Sequence, residues 1–223
     1  MVARGNASWS ALPPETQFEY DAALAGWKAA AEQGFEMAQH NLGCLYDFGR
    51  GVPQNYDEAL KWYKMAATQG HPESQVNLGA LFQNGRGVAQ SDTEAVKWWQ
   101  KGQGNGQVFL GNAYANGCGV ALNYEEAARW FRKAAVQGHA DAQLCLGQLY
   151  ESGRGIVKSD MEAERWFIMA AEQGNLEAQH NLGIFHKSKR AVAPSDVEAV
   201  RWWTLDTQLP RVVSGTCIQT AAE

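Results

Sequence analysis

Apolar residues along the chain fall at three- and four-residue intervals, as at Ala38, Leu42, Leu45 and Tyr46 and again at Ala59, Trp62, Tyr63 and Ala66. This is the period of a helix with one buried face. The stripes recur. Leu-Gly stands at Leu42-Gly43, Leu78-Gly79, Leu110-Gly111, Leu146-Gly147 and Leu182-Gly183, with spacings of 36, 32, 36 and 36. Ala-x-x-Trp follows in the same register at Ala59/Trp62, Ala95/Trp98, Ala127/Trp130, Ala163/Trp166 and Ala199/Trp202. Two columns in one register define an internal repeat whose unit is a helical hairpin. In the first unit helix A is predicted over about 36–48, a turn at Gly49-Arg50-Gly51-Val52, and helix B over about 55–69, ending at Gly70. The predicted fold is all-α, with units at about 35–70, 71–104, 105–138, 139–174 and 175–207. A half-unit, 15–34, precedes them, because Ala23 to Gly34 matches Ala59 to Gly70. An N-terminal extension (1–14) and a C-terminal tail (208–223) flank this array.

The start of helix B is the best specified point. Asn55, Ser91, Asn123, Ser159 and Ser195 are favoured N-caps, and three residues on stand Glu58, Glu94, Glu126, Glu162 and Glu198. The pairing predicts a capping box, in which the glutamate reaches back to the cap residue's N–H, so these carboxylates are assigned to structure. Eight of the nine tryptophans fall in two adjacent helix B columns: Trp62, Trp98, Trp130, Trp166, Trp202, and Trp27, Tyr63, Trp99, Phe131, Phe167, Trp203. A ring demanded once per repeat is demanded by packing, so both columns are expected in the core. The pairs Gly49/Gly51, Gly85/Gly87, Gly117/Gly119 and Gly153/Gly155 follow a helix instead of preceding one, which makes them helix-ending turns and not phosphate loops.

The pattern LGxxYxxGxGVxxxxxEAxxWxxxAAxQG, present as Leu146 to Gly174 with Ile156 in the Val place, resembles the Sel-1-like repeat. The resemblance implies a right-handed α/α superhelical solenoid of about five hairpins plus a leading helix, similar to tetratricopeptide arrays and serving mainly as an adaptor for protein complexes. Some cysteine-rich relatives of this class are linked to β-lactam binding or hydrolysis, and their units carry paired cysteines joining the two helices. Here Cys44 would need a partner near Glu36 and Cys145 one near Gln137, so that activity is not expected.

The chain departs from its own pattern twice. Lys101 to Gln107 replaces the eleven residues that correspond to Lys133 to Gln143, a loss of four that is close to one helical turn. A local notch or flexible joint is expected at 100–108. The last unit lacks both turn glycines and reads Lys187-Ser188-Lys189-Arg190, expected as solvated surface. No further repeat follows Trp202 and Trp203. Either the tail covers them, or the protein self-associates through this end, or the chain is a fragment of a larger repeat protein whose function lies elsewhere.

Composition narrows the partners. Apolar residues are 45% and charged residues 19%, a folded composition. The net charge of −5 lacks the positive field that nucleic-acid binding needs. No stretch approaches the ~20 apolar residues of a membrane span. Residues 1–14 hold no signal-like apolar run, so a cytoplasmic location is the default, and Cys44, Cys118, Cys145 and Cys217 are expected as free thiols.

No catalytic constellation emerges. The five histidines assemble no site, no HExxH motif or closely spaced His/Cys pair is identified, and no nucleophile motif occurs. The protein is therefore expected to be no enzyme and to have no cofactor and no metal ligands. What remains is the surface of the A helices, taken to expose the columns of 37, 40, 41, 44 and 47. The candidate peptide-binding residues of the expected concave face are His40, Asn41, Val76, Asn77, Val108, Phe109, Asn112, Leu144, Gln148, His180 and Asn181. Apolar contacts flanked by amides suit an extended or helical segment of a protein partner.

Overall fold

The computed structural model describes residues 14–188 and 190–208. Among them are eleven helices and no strand: α1 (Pro14–Glu32), α2 (Glu36–Phe48), α3 (Tyr56–Thr68), α4 (Pro72–Asn84), α5 (Asp92–Trp99), α6 (Asn105–Asn116), α7 (Tyr124–Ala135), α8 (Ala140–Ser152), α9 (Asp160–Glu172), α10 (Leu176–Lys187) and α11 (Asp196–Gln208). The leading helix and five hairpins are those the periodicity predicts. The chain divides into two compact units, Met1–Gly106 and Gln107–Glu223.

The division falls where four residues are missing. Helix α5 has 8 residues where α3 and α9 have 13, so the shortening takes up the deletion. The glycines of this connection permit close approach. A Cβ on Gly102 would lie 3.1 Å from Val76 Cγ2, and one on Gly106 would lie 3.0 Å from the Trp99 carbonyl oxygen.

Every helix B is capped as the sequence demands. The side chains of Asn55, Ser91, Asn123, Ser159 and Ser195 accept from the N–H of Glu58, Glu94, Glu126, Glu162 and Glu198 at 3.1 to 3.3 Å. At Asn55, Ser91, Asn123 and Ser159 the other half of the capping box does not form. The backbone N–H of Asn55, Ser91, Asn123 and Ser159 donates instead to the carbonyls of Tyr46, Phe82, Tyr114 and Tyr150 on the preceding helix A. With that donor taken, the glutamates pair with the cation three residues on: Lys61, Lys97, Arg129, Arg165 and Arg201. Such exposed pairs contribute little. Ser159→Ala should therefore cost about 1 kcal/mol of unfolding free energy, while Glu162→Gln should cost less than about 0.5 kcal/mol. Denaturant unfolding of the two variants checks this, and a Glu162 effect equal to the Ser159 effect would restore the reciprocal box.

Helices A end on glycine. Gly49, Gly85 and Gly153 stand at φ 64, 64 and 71°, the left-handed cap that lets the chain turn back. In the last repeat this device is absent and Arg190 replaces it. Its Nε and Nη2 donate to both Asp160 oxygens at 3.0 and 2.6 Å, and its Nη1 donates to Glu151 at 2.7 Å. The Arg190 guanidinium, as hydrogen-bond donor, holds the Asp160 carboxyl below the usual carboxylate range. The basic stretch is thus no free surface at Arg190. Lys189 and the tail from 209 lie outside the described residues.

The two aromatic columns separate by depth. Tyr63, Trp99, Phe131 and Phe167 are fully buried, each against the glycine twenty positions earlier on its own helix A: Gly43, Gly79, Gly111 and Gly147. Trp203 faces Gly183 in the same way. The outer column is covered more thinly, with Lys61 over Trp62, Lys101 over Trp98, Lys133 over Trp130 and Arg201 over Trp202 at 4.1 to 5.9 Å. These cations screen the ring faces while their heads remain in water. Trp27 departs from the expectation at 40% exposure, because no helix packs on its outer side within the described residues.

Buried glutamines join one repeat to the next. Gln39, Gln75, Gln143 and Gln179 donate to the carbonyls of Ala31, Ala67, Ala135 and Ala171 at 3.0 to 3.1 Å, each tying a helix A to the end of the preceding helix B. Gln69 and Gln173 close the link by donating to Gln39 and Gln143 at 2.7 Å. Cys44 and Cys118 are free thiols, as expected. Cys145 is not, being fully buried and disulfide-bonded; Cys217 lies outside the described residues.

Candidate functional site

The candidate binding residues sort by how far each helix A is flanked. In the first unit, α2 and α4 carry His40, Asn41, Val76 and Asn77. His40, Asn41 and Asn77 are half-buried. Val76 is buried and is not a surface contact: its carbonyl accepts the Trp99 indole N–H at 3.2 Å, and its side chain lies under Gly102. In the second unit, α6, α8 and α10 carry the rest. Leu144 is 2% exposed and belongs to the core cluster of Phe167, Leu182 and Phe185, so it is no binding residue either. Val108 is partly buried against the cluster of Phe131 and Leu146. Phe109 and Asn181 are half-buried and His180 is exposed.

Other members of the supposedly exposed columns are also interior. Asp47, Ala115 and Cys145 are buried. The reason is geometric: within each unit a helix A such as α4 or α8 touches its own helix B, the preceding helix B and a neighbouring helix A, so its buried arc is wider than a single hairpin requires.

The column of Asn112, Gln148 and Ile184 is half-buried at the two amides and exposed at its last member. Ile184 is 42% exposed. Gln148 Nε2 donates to Glu177 at 2.8 Å. Asn112 Oδ1 and Gln148 Oε1 are buried acceptors with no partner among the described residues. An acceptor in that state carries a desolvation cost that a donor from outside would relieve.

The first unit holds a polar cluster that the sequence reading missed. His71 is the N-cap of helix α4, and its Nδ1 accepts the Ser74 backbone N–H at 3.3 Å. That makes Nδ1 a lone-pair nitrogen, and the Ser74 hydroxyl lies 3.2 Å from it. Ser74 Oγ also lies 2.9 Å from His40 Nδ1, within hydrogen-bond distance. His40 Nε2 faces Cys44 Sγ, 3.5 Å away. The Tyr63 hydroxyl lies 3.4 Å from that sulfur and 3.3 Å from Asp47 Oδ2. The rings of His40 and His71 stack with centroids 4.4 Å apart. Histidines 31 positions apart are thus brought together, a contact that the column pattern did not indicate.

Burial favours the uncharged forms of His40, Cys44, Asp47 and Tyr63. Burial lowers the His40 pKa, assisted by His71 beside it. Burial raises the Cys44 thiol, only partly offset by the Tyr63 hydrogen bond, and it raises Asp47. The Tyr63 hydroxyl is pushed above its ordinary value by burial and by its neighbours Cys44 and Asp47. A nucleophilic cysteine needs the opposite, a thiolate stabilised by a positive neighbour. His40 and Cys44 are four residues apart on α2, so the expectation of no closely spaced His/Cys pair was wrong; the i, i+4 spacing on one helix face was the available signal. Among the described residues no group of three or more His, Cys, Asp or Glu is arranged to hold a metal ion.

A Sel1 repeat profile matches residues 36–71, 72–102, 104–139, 140–175 and 176–205. The chain belongs to the Sel1 repeat family. A Sel1 repeat protein from Oxalobacter formigenes is 30% identical over 90% of this chain and 86% of its own, with a TM-score of 0.77. A protective antigen of uropathogenic Escherichia coli strains is 30% identical over 87% of this chain and 52% of its own, with a TM-score of 0.50. An immunity protein from Pseudomonas aeruginosa shares the fold at 22% identity, covering 88% of this chain and 74% of its own, with a TM-score of 0.58. No curated protein matches the sequence. Among the described residues no helix is long and apolar enough to cross a membrane.

Proposed function

We propose that this Sel1 repeat protein is a non-catalytic interaction scaffold that binds a peptide or protein segment on its A helices. The observation that carries the reading is the pair of unpartnered buried acceptors, Asn112 Oδ1 and Gln148 Oε1, at equivalent positions of consecutive repeats. Backbone N–H groups of an extended segment supply the missing donors, and Ile184, in the same column, supplies apolar contact. Val76 and Leu144 drop out of the binding set because they are core. His40 and Cys44 support the non-catalytic reading, since burial holds the thiol protonated and the imidazole neutral.

The test replaces each amide by an apolar side chain of similar shape, Asn112→Leu with Gln148→Met, and compares capture of partners with the intact chain. Removing two unpaired buried oxygens offsets the loss of the Gln148–Glu177 hydrogen bond, so the thermal midpoint should change little. Loss of two interfacial hydrogen bonds should weaken the partner about tenfold or more. A partner held equally by both forms would overturn the assignment of this face.

A further inference from the structure

The four cysteines do not behave alike. Cys44 and Cys118 carry free thiols, whereas Cys145 is disulfide-bonded. The chain has one further cysteine, Cys217, in the segment 209–223 that follows α11 and lies outside the described residues. One candidate partner for Cys145 within the chain is therefore left. Burial on α8 agrees with a covering group. Cys145 shares its repeat position with Asn41, Asn77, Phe109 and Asn181, which are all half-buried, yet it is 0% exposed. Flanking helices cover this position by about half in the other repeats, so something more lies over it here. The chain also has the reach. Helix α11 packs on α10, and Gln148 of α8 is hydrogen-bonded to Glu177 of α10. Two interhelical steps of about 8–10 Å thus separate α11 from α8, while the residues from Leu209 to Cys217 extend up to about 30 Å.

We propose that Cys145 and Cys217 form a disulfide that seats the segment 209–223 on the A-helix face of α8. This differs from the pairing of two helices within one hairpin, because the two cysteines belong to parts of the chain separated by the whole last repeat. On closure two S–H bonds break and one S–S bond forms. The two protons and two electrons pass to a disulfide oxidant such as oxidised glutathione, whose own S–S bond becomes two thiols. The composition of the segment suits the place. Val212, Val213, Thr216, Ile218 and Thr220 are β-branched and favour extended backbone, the form assigned above to a bound partner. Gln148 stands one helical turn from Cys145, so the tethered segment and a partner compete for one face. Oxidation covers that face and reduction uncovers it. The competition rests on the interaction reading, and the cysteine pairing does not.

The experiment equilibrates the full-length protein with oxidised glutathione, blocks remaining thiols with iodoacetamide and digests with trypsin. Expected is a linked pair of peptides, Ala134–Arg154 with Val212–Glu223, that separates on reduction, while Cys44 and Cys118 are alkylated. Alkylated Cys145 and Cys217, or either one linked to another cysteine or to glutathione, would overturn the pairing. A second measurement tests the seating without the native bond. A synthetic peptide of residues 209–223, its cysteine activated as a thionitrobenzoate disulfide, should couple to Cys145 of the reduced full-length Cys217→Ser protein at least tenfold faster than to Cys44 or Cys118. Equal rates, or the same preference from a peptide of scrambled order, would show that the segment has no seat on α8. Partner capture should be at least tenfold weaker for the oxidised protein than for Cys217→Ser. If the two capture equally while Asn112→Leu with Gln148→Met still loses the partner, the interaction face stands and the competition is overturned.

Discussion

Gly147→Val should destabilise the second unit by about 3 kcal/mol or more, although valine is the better helix former. A glycine inside an exposed stretch of helix normally gains up to about 1 kcal/mol on replacement by alanine. At Gly147 the sign reverses, because a Cβ there would lie 2.5 Å from Cε1 of Phe167, a ring that is fully buried and held on all sides. Helix α8 and helix α9 approach that closely only because one of them has no side chain at the crossing. Gly26 in α1 is the internal control, since nothing lies within 4 Å of a Cβ built on it. Gly26→Ala should stabilise the protein by up to about 1 kcal/mol. Denaturant unfolding of Gly26→Ala, Gly147→Ala and Gly147→Val decides the matter. If Gly147→Ala stabilises as Gly26→Ala does, the glycine–ring contact is not what sets the hairpin spacing. A double variant, Gly147→Ala with Phe167→Leu, should recover part of the loss, because trimming the ring reopens the space that the new methyl requires.

In the first unit the largest effect is expected at Trp99. It is 1% exposed, sits on Gly79, and donates its indole N–H to the Val76 carbonyl, so one side chain joins α5 to α4 by packing and by a hydrogen bond. Helix α5 has only 8 residues, too short to persist without its tertiary contacts. Trp99→Ala should cost about 3 to 5 kcal/mol. Trp99→Phe, which keeps most of the buried ring and loses the donor, should cost about 1 kcal/mol. Equilibrium unfolding of both variants separates the two contributions. Equal losses would show that the hydrogen bond, and not burial, dominates the joint.

Much of the candidate site was not legible in advance, and particular residues show why. The hairpin register, the caps at Asn55 and Ser159, and the turn at Gly49 each depend on residues within about four positions, so their chemistry is written where it acts. The capping-box glutamates were half right. The caps form, but the donor that the carboxylates were to reach is taken by a carbonyl at the end of the preceding helix A, as Tyr46 takes the N–H of Asn55. Val76 and Leu144 looked like surface because a helical wheel counts one buried face. Each helix A in fact packs against neighbours on both flanks, and those neighbours come from other repeats.

The polar cluster was missed for the same reason. His40 and His71 belong to different repeats and different columns, and only the packing of the start of α4 beside the middle of α2 stacks their rings. The His40/Cys44 spacing was open to inspection, but the contact of His40 with Ser74 comes from across the repeat boundary.

The sequence by itself determined the helices, their ends, the repeat and the family, because these follow from periodicity and from short-range hydrogen bonding. Tertiary structure alone decided which flank of each A helix remains open, which buried acceptors lack partners, and which titratable groups meet. Those outcomes depend on contacts about one repeat length away, where distance in space no longer follows distance along the chain.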